Sequence, residues 1–472
     1  MVFQPSIVLY EHLDFLDYFI FFLVLVLTFT AVIYGVVASK KSGKNSFIDY
    51  MLMGRTLTLP MFAATLVATW YGGIFGVTEM SFKYGVYNFV TQGFFWYLTY
   101  IIFALFIVDK VRNSNAITLP ELIGQNFGPS SQKIAAVFNF FNVVPIVYVI
   151  SIGILCKAIF GCSLLMGTVL GTSFVCFYSM LGGFRAVVFS DLVQFFVMCS
   201  SVLLVLVCSV YGFGGIGFLQ ESLPERFFDP TGGHPMSTLL VWGLIALSTL
   251  VDPTFYQRCF AAKDARTAKK GIFVATGIWF VFDICTTLGG MYAAAIIPEA
   301  KPSEAYLNYA IQILPSGLKG LFLAGILATV LSTIDSYNFI AANTLSYDFV
   351  PKKYKHSLWL QKISILFTGC IAVAMAVSFE GSIKSVWKTL GSYSAGCLLL
   401  PVLIGYIYPG RISDRVFSGA VIAAAAGITY WRFASHSGFW AEVDDLYVGV
   451  IIASIVLVFG VSSEKFFKRS SC

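Results

Sequence analysis

Oxygen-bearing side chains gather in the stretch Gly320–Asn338, GLFLAGILATVLSTIDSYN, where Ser332, Thr333, Asp335 and Ser336 surround Ile334 inside an otherwise apolar run. Polar groups at hydrocarbon depth are costly unless they face a cavity, a partner or an ion. Hydroxyls and a carboxylate within about one helical turn offer the hard oxygens that a small alkali cation needs after shedding water. The plainer reading is that Ser and Thr bond back to the carbonyl one turn earlier or to a neighbouring helix. Asp335 does not fit that reading, because a carboxylate is not a packing residue.

The surroundings of this stretch are those of a polytopic membrane protein. The 472 residues are 58% hydrophobic and 11% charged, with 46 Phe and a mean hydropathy of +0.82. A soluble domain carries about 25% charged residues, so this chain cannot build an ordinary aqueous surface. Its net charge of +6 is spread over short basic clusters between apolar spans, which is a topology signal and not a nucleic-acid footprint. The ten cysteines lie mostly in apolar segments without C-x-x-C or Cys/His spacing, so neither a disulfide framework nor a metal centre is implied. No residue set suggests covalent catalysis, and His12, His234, His356 and His436 fall in loops.

At roughly 20 apolar residues per crossing, spans are expected near 17–38, 58–77, 87–108, 133–157, 163–182, 187–213, 237–256, 271–297, 319–346, 359–379, 384–407, 416–432 and 446–463. That is an all-α fold of about thirteen transmembrane helices. Basic loops follow alternate spans: Lys40, Lys41 and Lys44; Lys110 and Arg112; Arg185; Arg258, Lys263, Arg266, Lys269 and Lys270; Lys352, Lys353 and Lys355; Arg411 and Arg415; Lys465, Lys468 and Arg469. The positive-inside rule then puts the N-terminus outside and the C-terminus in the cytoplasm of an inner or plasma membrane. Acidic residues mark the opposite side, with Glu11, Asp14 and Asp17 before the first span, Glu221 and Glu225 near 215–236, and Asp444 and Asp445 after Trp440. The acidic flank and long apolar run of the first span argue against a cleaved signal peptide. No soluble domain is expected, and the outer loop from Pro302 to Leu314 has room for a short amphipathic helix.

Two spans look breakable. The second carries Gly72, Gly73 and Gly76 at mid-depth, and the seventh sets Asp252 before Pro253. Proline disfavours helix at the preceding residue and removes a backbone donor. Freed backbone groups survive in a membrane only where they line a cavity, although glycines also serve close packing and a proline alone only kinks. These two spans head two groups of five. Five helices beginning with a broken one, repeated in opposite orientation, is the inverted-repeat plan of a secondary transporter. The divisions expected are residues 1–56 for an extra helix and inner loop, 57–214 and 237–408 for the repeats, and 416–472 for the last helices.

Three motifs, GGFRAVVFSDLVQFFVM at 182–198, DPTFYQRCFAAKDARTAKKG at 252–271 and GLKGLFLAGILATVLSTIDSYNF at 317–339, resemble the sodium:solute symporter family, whose fold is the five-plus-five inverted repeat shared with LeuT. The likeness spans nearly the whole chain. It implies a main sodium ion between the second and ninth helices, held by the hydroxyls of Ser332 and Thr333, the carbonyl of Thr329, and carbonyls of the second helix. Those are expected from Leu66 and Thr69, with a register one residue earlier leaving Thr65 and Ala68 open. Some members bind a second sodium, and Asp191, Ser332 and Ser336 match its ligands, with Asp335 where some members have Ser. An alternative for Asp191 is a helix-capping residue, since Ser190-Asp191 opens a run much like a cap.

The resemblance also implies a solute site near Trp70, Tyr71, Gly72 and Gly73 of the second helix, Asp252 and Phe255 of the seventh and Asp283 of the eighth. Trp70 and Tyr71 resemble the aromatic stretch of choline-transporting members. A desolvated cation over an aromatic face gains about 2 kcal/mol, so a cationic or amine-bearing solute is favoured. The tryptophan of those members' seventh helix is replaced here by Asp252 or Pro253, which speaks against choline itself. The expectation is a sodium-coupled symporter of a small polar organic solute working by alternating access, with Na⁺, the solute and the lipid bilayer as partners and no nucleic acid. The alternatives are a sodium-independent facilitator and a transporter-like sensor; the roughly ten residues after the last span argue against a built-in output module.

Overall fold

A computed structural model describes residues 3–41, 47–180, 182–438, 440 and 443–470. Lys44 of the first basic loop lies outside the described residues, as do the side chains of Lys40, Lys41, Lys352, Lys465, Lys468 and Arg469.

The described residues form helices almost throughout. The elements used below are α1 (Phe15–Lys41), α2 (Leu59–Ala68), α3 (Ile74–Tyr84), α4 (Tyr87–Asn113), α5 (Pro129–Val143), α6 (Ile146–Phe160), α7 (Leu164–Ser179) and α8 (Phe184–Phe213). They continue with α9 (Met236–Leu247), α10 (Pro253–Ala261), α11 (Ala265–Ile296), α12 (Pro302–Ile313), α13 (Leu318–Asn343), α14 (Leu358–Ser378), α15 (Ile383–Ile407), α16 (Asp414–Phe433) and α17 (Asp445–Ser470). Among the described residues, eleven helices are long and apolar enough to cross a membrane, counting α5 with α6 and α9 with α10 as one each. The two other expected spans fall on the shorter apolar helices Leu59–Ala68 and Leu164–Ser179. Phe106, Phe177, Phe196 and Phe459 are exposed on the outside of the array, where only hydrocarbon suits them.

Both expected breaks are present. Between α2 and α3 the ladder lapses: Trp70 N–H bonds Val67 O at 3.2 Å, and Ile74 N–H bonds Tyr71 O at 3.0 Å. Between α9 and α10, Asp252 is extended, with φ −81° and ψ 120°, and caps α10 by accepting from Thr254 N–H at 2.7 Å. A third break was not expected. The span read as 133–157 is cut at Val144-Pro145, with Val144 at φ −64° and ψ 123°, the extended geometry that a following proline enforces.

Three charged residues assigned to loops sit elsewhere. Asp17 belongs to α1, is buried, and accepts from Gly317 N–H at 2.8 Å and Gly320 N–H at 3.0 Å, so its carboxylate faces the N-terminus of α13. Arg185 lies in α8 and pairs with Asp49 at 2.8 Å. Arg258 is not in a loop at all: α10 runs on to Ala261, and the side chain is 0% exposed. The outer helix expected near Pro302 is present as α12, but its run from Ala305 to Ile311 is buried against the protein and not laid in the lipid interface.

The start of α2 and the end of α10 are joined by an isolated bridge, with Leu57 N–H to Ala261 O at 3.0 Å and Lys263 N–H to Leu57 O at 3.0 Å. The first half of one broken span and the second half of the other, α2 and α10, are thus not free ends. They meet α8 and α13, which pack together so closely that a Cβ on Gly325 would fall 2.2 Å from Ser201 Oγ.

Candidate functional site

The break after α2 leaves the Ala68 carbonyl at the helix end, and it points at α13. Ser332 Oγ lies 2.7 Å from Ala68 O, 2.8 Å from Ala328 O and 3.2 Å from Thr329 O. Thr333 Oγ1 lies 2.8 Å from Thr329 O and 3.4 Å from Ala68 O. Each hydroxyl has one proton to give, so the cluster holds more acceptor oxygens than donors. That excess suits a hard cation. The approach depends on Gly72, where a Cβ would fall 2.6 Å from Thr333 Cβ and 2.6 Å from Tyr148 Cδ1.

Of the carbonyls expected on the early helix, the one that meets the pair is Ala68, the register left open by the sequence. The Thr69 hydroxyl donates to Thr65 O at 2.8 Å and lies 3.0 Å from Ser336 Oγ. Leu66 is buried two residues before the helix end, and the amide of Trp70, which a continuous helix would give to its carbonyl, goes to Val67 instead.

One turn further along α13 lies a second polar cluster. Asp191 sits seven residues into α8, so it does not cap that helix. Its Oδ2 accepts from Thr65 Oγ1 and lies 3.7 Å from Arg258 Nη2. That guanidinium nitrogen also donates to Thr65 Oγ1 at 3.0 Å, to Ser336 Oγ at 3.0 Å and to Thr69 Oγ1. Asp335 turns away and accepts from Ser179 of α7. Of the residues expected around a second sodium, Asp191 and Ser336 meet at Arg258, Ser332 belongs to the first cluster, and Asp335 stands on another face.

Between the two breaks is a cavity of about 130 Å³. Of the residues named for a solute site, Trp70, Tyr71, Gly73, Asp252 and Asp283 line it; Gly72 and Phe255 do not. Gly72 is taken up against Thr333, and Phe255 stands behind Trp70, ring centroids 5.5 Å apart, stacked on Tyr100 at 5.2 Å. Asp283 accepts from the hydroxyls of Tyr71 and Tyr97. Three further tryptophans, Trp96, Trp242 and Trp387, complete the wall, and no Lys, Arg or His is among the lining residues. The sequence carried no signal for these, since single aromatics in apolar spans serve packing just as well. The unexpected break contributes too, because Asn142, Val144, Val147 and Tyr148 line the same cavity.

A wider vestibule of about 600 Å³ adjoins it, sharing Trp242 and Ile245. It carries Lys388 paired with Asp444 at 2.8 Å and Arg432 paired with Asp445 at 2.5 Å. His234, in the loop before α9, lies 4.9 Å from the rings of Tyr84 and of Tyr87. Burial, then the charge of Lys384, holds its imidazole below the ordinary value. No group of three or more His, Cys, Asp or Glu able to hold a metal occurs among the described residues.

Two interrupted helices facing each other across a small central cavity, beside an oxygen-rich junction with an unbroken helix, define a secondary transporter of the LeuT fold. Solved structures agree on that architecture. A Na⁺-coupled sialic acid symporter in its substrate-bound outward-open state superposes with a TM-score of 0.79 at 16% identity, covering 95% of this chain and 98% of its own. Mhp1, a nucleobase-cation-symport-1 family transporter, gives 0.60 at 14% identity over 89% and 94%. The profile of the sodium:solute symporter family matches residues 50–427, and the chain belongs to that family. It is a transporter coupled to sodium and not an enzyme. Among curated relatives it is similar to the sodium/mannose cotransporter of Bos taurus, 24% identical over 88% of this chain and 75% of the relative. It is also similar to the sodium/pantothenate symporter of Escherichia coli, 22% over 92% and 95%, and to the high-affinity proline transporter PutP of Bacillus subtilis, 24% over 76% and 80%.

Proposed function

We propose that this symporter imports a small amine-bearing solute with sodium by alternating access. The observation that carries the solute class is the central cavity itself, which has four tryptophans and two carboxylates, Asp252 and Asp283, but no basic side chain. An ammonium group gains from each ring face and from the carboxylate charge when desolvated. A solute with only a carboxylate would meet like charge and no basic side chain among the lining residues. The proline transporter PutP shows that an amine-bearing solute lies within the range of the family's relatives.

Sodium sits, in this reading, among Ala68 O, Thr329 O, Ser332 Oγ and Thr333 Oγ1. The support is the surplus of acceptor oxygens over protons at that junction. Occupancy there favours the outward-open, solute-ready arrangement, by an amount equal to the ion's differential affinity for the two states. The membrane potential adds about 2.3 kcal/mol per charge per 100 mV. The N-terminus is outside and the C-terminus cytoplasmic, and the repeats run over 57–214 and 237–408; the basic clusters after alternate spans and the two matched breaks support these assignments.

The test is a thermal-shift screen of purified protein against amines, amino acids, sugars and monocarboxylates, in sodium and in potassium. Amine-bearing compounds are expected to raise the melting temperature in sodium and much less in potassium. Stabilisation by sugars or monocarboxylates alone would refute the solute class. Equal stabilisation in potassium would refute the sodium junction.

A further inference from the structure

We propose that Arg258 is the resident cation of the second polar cluster, so that the protein binds one sodium ion and not two. This rests on the reading of the Ala68–Ser332–Thr333 junction as the sodium site.

The cluster has the composition of a cation site. Thr65 comes from α2 and Thr69 caps its end, Asp191 comes from α8 and Ser336 from α13, all buried. At its centre stands a positive charge that the chain itself supplies, the Nη2 of Arg258 from α10, 3.0 Å from Thr65 Oγ1 and Ser336 Oγ and 3.7 Å from Asp191 Oδ2. A guanidinium stays protonated at any working pH. Among the described residues the other oxygen of Asp191 has no hydrogen-bond partner, so the guanidinium is what compensates this carboxylate. Asp335, the one further carboxylate on that stretch of α13, is engaged by Ser179 and adds nothing to the cluster.

A sodium ion held about 2.4 Å from Asp191 Oδ2 would stand within about 6 Å of the guanidinium nitrogen, which is 3.7 Å from that oxygen. Repulsion of two unit charges at about 6 Å weakens binding on the order of a hundredfold in a partly screened interior, and more at closer approach. The tethered charge therefore excludes a mobile one. It also ties α2 and α10, the halves of the two broken spans on the proposed cytoplasmic side, to α8 and α13. The Leu57–Ala262 bridge joins the same two halves a little further along.

Equilibrium binding of radioactive sodium to the purified full-length protein reads the count without knowledge of the solute. Wild type is expected to hold one ion per chain, and Asp191→Asn also one. Arg258→Gln, with the guanidinium gone and the oxygens left, is expected to hold two, and Arg258→Lys one. Two ions in wild type, one of them lost in Asp191→Asn, would overturn the proposal, and so would a count that stays at one in a folded Arg258→Gln. Should Arg258→Gln fail to fold, the wild-type and Asp191→Asn counts decide alone. No sodium bound to wild type would instead refute the sodium junction on which the proposal rests.

Discussion

The Ser332 hydroxyl lies 2.7 Å from the Ala68 carbonyl across 264 residues of chain, and both atoms are buried. One partner is the last carbonyl of a helix that stops in mid-membrane; the other belongs to a helix that runs through. An ion held by both, as proposed, would couple its occupancy to the angle between the two helices, because it would be lost when they separate.

Gly72 sets how near these helices come. A Cβ there would meet Thr333 and Tyr148 at 2.6 Å, well inside contact distance, and such overpacking costs about 1–3 kcal/mol. Gly72→Ala is expected to lower the melting temperature and to raise the sodium concentration for half-maximal uptake together. A melting temperature and sodium dependence equal to wild type would show that the junction is looser than described.

Asp252 caps α10 with one oxygen, taking Thr254 N–H at 2.7 Å and Thr254 Oγ1 at 2.5 Å, and lines the cavity. Asp252→Asn keeps an acceptor for the cap but removes the charge. Binding of an amine-bearing solute is expected to weaken about tenfold to a hundredfold, as when a charge-assisted hydrogen bond is lost. Calorimetric titration of the solute measures it, and an unaltered affinity would show that the charge is not read there.

Trp70 lines the cavity and packs at near right angles on Tyr100 and Phe255. Trp70→Leu keeps apolar bulk and removes the π face. Affinity for an amine-bearing solute is expected to fall about thirtyfold, the equivalent of about 2 kcal/mol, with Trp70→Phe recovering part of it. Equal losses in the Leu and Phe variants would point to shape and not to the cation–π term.

Asp283 is held by two phenols, Tyr71 and Tyr97. Tyr71→Phe with Tyr97→Phe leaves a buried carboxylate without donors, at about 1–3 kcal/mol for each bond removed. The double variant is expected to melt below wild type, and adding Asp283→Leu to recover part of the loss. A further drop in the triple variant would mean that the carboxylate has support other than these two hydroxyls.

The parts of this site that the sequence displayed are those in which a local rule acts alone. Asp252-Pro253 announces its break because proline denies helix to its neighbour, and the same rule applied to Val144-Pro145 would have found the third break. That pair went unread because the apolar run continues through it. The Ser332-Thr333 pair was legible as polar groups at depth. Its partner was fixed only to within a residue, since the Gly72-Gly73 stretch says that the ladder lapses without saying at which carbonyl. Arg258 was hidden for a different reason. It shares a stretch with Lys263, Arg266, Lys269 and Lys270 and so read as part of a basic loop, whereas α10 buries it completely by extending to Ala261. Only tertiary packing, which brings α8 and α13 against α10, gives that charge its partners.

The account depends most on sodium held between Ala68 and the Ser332-Thr333 pair. Sodium-dependent uptake into proteoliposomes by the Ser332→Ala, Thr333→Ala double variant measures this directly. Loss of two ion ligands is expected to raise the half-maximal sodium concentration at least tenfold while the protein still inserts and folds. A well-folded double variant with wild-type sodium dependence would contradict the account.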